Sequence, residues 1–243
     1  MNFQSVSVGQ KLAKSGLLDP AGLRGGYLDA NATPGNALTL QFAYVDDALG
    51  RMVSELQTQG LTDRTLIIVS AKHGQSPIDL SQRQAVSDAP YAKTPGYAFN
   101  NADDVALVWL APETAAAARA AASEYLLSQA DTLKIAGLAG RDILRNFYQD
   151  PAMDSRTPDF VAITQQGVIY TSGSKLSEHG GFADDDRNVA LLVGAPGIKG
   201  SVVNDVVETR QIAPTILRAL GLNPRALQAV RQEGTAVLPS SLR

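Results

Sequence analysis

Apolar residues at Leu38, Phe42, Val45, Leu49, Met52, Val53 and Leu56 recur at helical spacing and stop before Gly60, which predicts a long amphipathic helix. Residues 65–71 follow as an almost unbroken apolar run, short and rich enough in β-branched side chains to be a strand buried on both faces. A helix feeding such a strand is one step of a doubly wound sheet. Residues 74–102, rich in Ser, Pro, Asp and Asn, show no clear period and read as a loop or excursion on the ligand side. Residues 105–110 predict a strand. Residues 112–127 predict a helix opened by Pro112 and Glu113, and residues 142–148 a short one. Residues 160–164 and 168–171 predict two strands joined by a hairpin-like turn at Gln165, Gln166 and Gly167. Residues 188–193 return an apolar strand to the main sheet, and residues 212–221 form a helix with Pro214 near its start and Gly221 at its stop. Residues 1–32 are glycine-rich and weakly periodic. The pattern is that of one α/β domain, with residues 103–171 a small inserted α+β subdomain.

Composition narrows the function more than the fold. With 243 residues, 44% of them hydrophobic, the chain can bury a full core. Its 21 Lys and Arg against 24 Asp and Glu leave a net charge of −3 without any basic block, so nucleic acid is not an expected surface partner. No apolar stretch approaches the roughly 20 residues that span a bilayer, and residues 1–16 lack the basic and apolar regions of an export signal. Zero cysteines exclude disulfides and thiolate chemistry and leave the compartment open.

Both histidines precede a glycine where an apolar run meets a turn: Lys72-His73-Gly74-Gln75 and Glu178-His179-Gly180-Gly181. Ligands of open α/β sheets collect at the C-terminal ends of strands, and a neutral imidazole there can reach a metal. A His-Gly pair can equally cap a turn or bond a carbonyl. Asp46 and Asp47 fall on the helix face away from Leu49 and Met52, and Asp184 to Asp186 read as a hydrated loop. Ser172, Ser174 and Ser177 lack a base partner other than His179, which argues against a serine triad.

The ordered set of Val45 to Gly50, Thr65 to Gln75, Pro158-Asp159, His179-Gly180-Gly181 and Ala213 to Leu217 resembles the alkaline phosphatase superfamily, and within it the type I phosphodiesterase and nucleotide pyrophosphatase group. The resemblance runs from about the first residues to Pro224. It implies an alkaline-phosphatase-like, mainly parallel sheet flanked by helices. It also implies a site with one or two divalent metal ions, usually zinc, beside a Thr or Ser nucleophile that attacks a small phosphoric ester. By position, His73 and His179 are the implied metal ligands, and Glu178 a partner for a metal-bound imidazole.

Departures from the family pattern are as informative. Lys72 stands where the family has a metal-binding aspartate; it cannot ligate while protonated, but it can hold a phosphoryl or sulfuryl oxygen, or simply pair with a carboxylate. Asn2 and Val6 fall where an aspartate and a histidine complete one metal site. The family's first strand and nucleophile-bearing helix have no counterpart in residues 1–64, so the domain reads as N-terminally incomplete, with Met1 an internal residue of a longer, exported protein. The reading is a metal-dependent hydrolase of phosphodiesters or nucleotide pyrophosphates, incomplete as this chain. Its rivals are a non-catalytic binding remnant and a sulfatase or phosphonate-ester hydrolase. A sheet lacking a strand would expose an apolar edge, through which self-association is expected.

Overall fold

In the computed structural model, which describes residues 1–13, 23–114 and 116–239, helices and strands are interspersed along the chain. The order is α1 (Ser5–Lys11), α2 (Asn36–Thr58), β1 (Ile67–Ser70), β2 (Gln84–Val86), β3 (Tyr97–Ala102), β4 (Val105–Leu110), α3 (Ala116–Ser128), α4 (Ala130–Leu133) and β5 (Ile135–Ala139). Then follow α5 (Arg141–Leu144), β6 (Phe160–Thr164), β7 (Val168–Tyr170), α6 (Asp184–Arg187), β8 (Leu191–Gly194), α7 (Ile212–Ala219) and α8 (Gln228–Glu233). The chain divides into two compact units, Met1–Val45 with His73–Asn188 and Asp46–Lys72 with Val189–Arg243. Residues 14–22, within the weakly periodic leading segment, and residue 115, within the predicted 112–127 helix, lie outside the described residues.

The first unit is built on a four-stranded antiparallel sheet in the order β3-β4-β6-β5. Successive residues of a strand face opposite sides, and β4 uses both. Ala106, Val108 and Leu110 join Leu126 of α3, Tyr91 and Tyr170 in one cluster, while Val105 joins Ala139, Leu144 and Val161 in another. Tyr170 donates its hydroxyl to the Leu133 carbonyl at 2.8 Å, so Tyr91 donates to Tyr170, also at 2.8 Å, and both buried phenols are satisfied. Asp159, of the Pro158-Asp159 pair, is a tie rather than a site residue. It is buried, accepts from the Leu110 amide at 2.8 Å, and pairs with Arg119 of α3 and Arg141 of α5.

Several sequence expectations change here. Residues 160–164 and 168–170 are strands, yet they do not pair as a hairpin. β6 lies between β4 and β5, whereas β7 pairs in parallel with β2, because the Gln165 amide bonds the Lys134 carbonyl at 2.8 Å and the Gln84 amide bonds the Gly167 carbonyl at 2.8 Å. The stretch read as an excursion holds β2 and β3. Pro112 and Glu113 sit in a turn before α3 instead of opening it.

In the second unit, β1 and β8 pair antiparallel, Ile67 opposite Gly194 through Ser70 opposite Leu191. The α/β class stands and its sheets are mixed, in place of the mainly parallel sheet expected. Apolar runs carry no information on strand direction. Nor is β1 buried on both faces: Ile67, Ile68 and Val69 are half-buried. Helix α7 starts as its composition predicts, with Pro214 third in the helix, where its missing N–H is one of the unpaired donors of any first turn. A Glu208–Gln211 capping box precedes it.

Candidate functional site

Backbone lacing in the first unit brings the two His-Gly segments together. Ser76 and Glu178 exchange both amide-to-carbonyl bonds at 2.8 Å, and the Gly74 amide donates to the Asp186 carbonyl at 2.6 Å. A Cβ on Gly74 would lie 2.1 Å from the Asp185 carbonyl oxygen, so only glycine allows this approach. Gly180 takes φ +103°, a conformation that favours glycine, and its amide donates to Asp186 Oδ2 at 2.9 Å. The glycine after each histidine is therefore what lets the segments meet. The His73 and His179 rings stack with centroids 3.8 Å apart and planes 15° apart.

Helix α1 supplies a cation to this pair. Its C-terminal end is tied to the 176–179 segment by the Leu176 amide on the Lys11 carbonyl at 2.8 Å and the Ser177 hydroxyl on the Gln10 carbonyl at 3.3 Å. Lys11 Nζ lies 2.9 Å from His179 Nδ1 and 2.8 Å from Glu178 Oε2. Glu178, 1% exposed, also takes Lys175 on its other oxygen. Burial pushes its carboxyl up, but the bonds and charges of Lys11 and Lys175 outweigh this and hold it below the ordinary glutamate range. Burial and the positive charge of Lys11 depress His179 below the ordinary imidazole range.

An acidic group adjoins the histidines. Burial pushes Asp104 up to about 7, the Asp186 charge adding to the shift and the amides of Asp104 and Gly181 opposing it. Burial likewise raises Asp186 and Asp103. Neither oxygen of Asp104 completes a hydrogen bond of ordinary geometry, nor does Asp186 Oδ1.

Of the residues read from the sequence, His73 and His179 come together, with Glu178 at 3.4 Å from His179 Nδ1. Lys72 is exposed, belongs to the second unit and makes no ion pair among the described residues. Asn2 is exposed ahead of α1, and Val6 is half-buried on it. Asp46 and Asp47 are solvated, as their helix face predicts. Asp184 to Asp186 form the short helix α6 instead of a loop, with Asp186 buried, because its carboxylate caps the Gly180 turn. Lys11, Lys175 and Asp104 carried no motif that singled them out.

These donors suit a resident metal unequally. His73 Nδ1 lies 2.7 Å from the Gly74 carbonyl, to which it must donate, so its Nε2 keeps a free lone pair that fits a metal. His179 does not fit through Nδ1, whose lone pair faces Lys11. Among the described residues, no group of three or more His, Asp or Glu side chains is placed to hold an ion.

The arrangement of helices and mixed sheets is that of alkaline-phosphatase-like α/β enzymes. Human ectonucleotide pyrophosphatase/phosphodiesterase 5 superposes with a TM-score of 0.57 at 14% identity, over 74% of this chain and 46% of that one. Its murine counterpart gives 0.58 at 15%, over 81% and 51%, and the alkaline phosphatase PafA gives 0.58 at 16%, over 77% and 41%. The chain thus spans about half the length of these structures. Residues 19–188 match the type I phosphodiesterase/nucleotide pyrophosphatase family model, and the chain belongs to that family. No curated protein matches it significantly. Among the described residues, no helix is long and apolar enough to cross a membrane.

Proposed function

We propose that this chain carries the histidine-bearing part of a hydrolase site for phosphoric esters, of the phosphodiester or nucleotide-pyrophosphate type. The observation that supports it most is the stacked His73 and His179 pair, set at two glycine turns beside Lys11 and Glu178. Family membership points the same way. The murine relative has been solved, as an inactive variant, in complex with AMP.

In this reading His73 would hold a divalent cation through Nε2, with Asp186 Oδ1 the nearby carboxylate oxygen still lacking a partner. Zinc is the candidate that suits imidazole. Such an ion, when bound, supplies positive charge to a phosphoryl oxygen and to the departing alkoxide. The protein's own residues do the rest. The Gly74 carbonyl orients His73, Lys11 holds the neutral His179, and Glu178 keeps Lys11 in place. Lys72 enters the proposal as an oxyanion partner through its adjacency to His73 in the sequence.

A second reading, phosphoric-ester binding without turnover, is favoured by one observation. The buried hydroxyl nearest His179 in sequence, Ser177, is spent on the Gln10 carbonyl and does not face a base. Hydrolysis of bis-p-nitrophenyl phosphate with added zinc, and calorimetric binding of AMP, measured on the full chain and on His73→Ala, separate the two. Turnover lost in His73→Ala supports the hydrolase. AMP binding without turnover supports the binding module. AMP binding unchanged in His73→Ala removes the site from this place.

A further inference from the structure

The two imidazoles have different obligatory partners, and this fixes their protons. A carbonyl oxygen only accepts and an ammonium only donates. His73 Nδ1, 2.7 Å from the Gly74 carbonyl, therefore carries its proton and leaves Nε2 bare. His179 Nδ1 lies 2.9 Å from Lys11 Nζ, closer than the 3.4 Å to the Glu178 carboxylate that Lys11 itself occupies, so it is bare and leaves the proton on Nε2. We infer that Lys11 is a positioning residue that fixes His179 as the Nε2–H tautomer, so that this ring donates a hydrogen bond to a phosphoryl oxygen in place of ligating a metal.

Three further features carry the assignment. Lys11 is held at both ends, by the Leu176 amide on its carbonyl and by buried Glu178 on its ammonium at 2.8 Å, so the contact with His179 is not that of a free surface lysine. Its side chain is only 20% exposed, which limits the water that would compete for its ammonium. The rings stack 3.8 Å apart with planes only 15° from parallel. An ion bound by imidazole lies in the ring plane along the lone pair, about 2 Å from nitrogen. An ion in the plane of His73 is then out of the plane of His179, and one ion cannot serve both rings. The site presents one metal-competent nitrogen and one N–H donor, a polarity set by the chain's own cation. The inference concerns the site of the hydrolase proposal, and its oxyanion role rests on that reading, but the tautomer does not.

The test is long-range proton–nitrogen NMR of the histidine-labelled 243-residue chain at about pH 8, above the ordinary imidazole range. With only two histidines, one His179→Gln sample assigns both. The expected spectrum shows a bare Nδ1 and protonated Nε2 for His179, and the reverse for His73. Zinc should shift His73 alone. Lys11→Met should release His179 into both tautomers, while Lys11→Arg, which also only donates, should restore the parent pattern. Inorganic phosphate should shift the His179 Nε2–H in the parent. A parent His179 protonated on Nδ1, or zinc shifting both rings equally, overturns the assignment. If Lys11→Met fails to fold, the parent and Lys11→Arg spectra still decide. Absence of ester hydrolysis would count against the proposed function and leave these spectra unchanged.

Discussion

Strands β4 and β1 carry apolar runs of similar strength and meet opposite fates. β4 is flanked by β3 and β6, its alternate residues enter two clusters, and Ala106 and Val108 are fully buried. Among the described residues β1 has only β8 as a ladder partner; its apolar residues are half-buried, and Leu192 on β8 is 59% exposed. An apolar run thus specifies a strand, while its burial is decided by what flanks its edges and covers its faces. The largest test of this contrast is one substitution made in both places. Leu110→Ala, at a strand position 5% exposed, should cost about 3 kcal/mol through lost burial and the cavity left behind. Leu192→Ala should cost below about 1 kcal/mol. Urea unfolding followed by the emission of Trp109, the only tryptophan, reads the first, and far-UV circular dichroism the second. Equal costs would break the comparison.

The first unit also carries an electrostatic cost. Asp104 sits buried beside Asp186 and Asp103, with its carboxyl pushed up to about 7. A raised carboxyl pKa means that the folded state holds the proton longer than the unfolded one. The resulting penalty is absent below the ordinary range near pH 4, grows as pH rises, and is complete above about 7. Three pKa units correspond to roughly 4 kcal/mol, from which the incomplete hydrogen bonding of a buried amide must be subtracted. Asp104→Asn should therefore be more stable than the parent by about 2 kcal/mol at pH 8, the gain fading toward pH 4. Melting temperature across that window checks it, and a gain that does not change with pH would mean that Asp104 is not held neutral by its surroundings.

Much of this is legible in the sequence alone. The 3.6-residue period of α2, the run of β4 and the proline and glycine bounds of α7 each report a local preference that the tertiary structure leaves intact. β3 is not legible, because Asn100 and Asn101 break the alternation of Tyr97, Ala98 and Phe99, and what stabilises it is its ladder to β4, including Phe99 opposite Trp109. The false hairpin has the same origin, since the partner of β7 lies more than eighty residues upstream in β2. At the site, the two His-Gly pairs were readable because glycine marks a close approach. Lys11 was not, since a lysine at the end of a short helix looks like any solvated side chain until Glu178, 167 positions later, is folded against it.

The smallest effect on stability is expected to carry the largest effect on association. Exposed Leu192 and half-buried Ile67 to Val69 lie on a two-stranded ladder with both outer edges unpaired among the described residues, which is the arrangement that templates pairing with another chain. We propose that the full chain self-associates through this ladder. Leu192→Lys places a charge on the exposed position and should change folding stability by no more than about 0.5 kcal/mol, while shifting sedimentation velocity from a concentration-dependent mixture toward monomer. A variant that associates as strongly as the parent would move the contact elsewhere. A parent that stays monomeric at every concentration would mean that half-burial is sufficient protection for an apolar strand, and the contrast between β1 and β4 would then be one of packing alone.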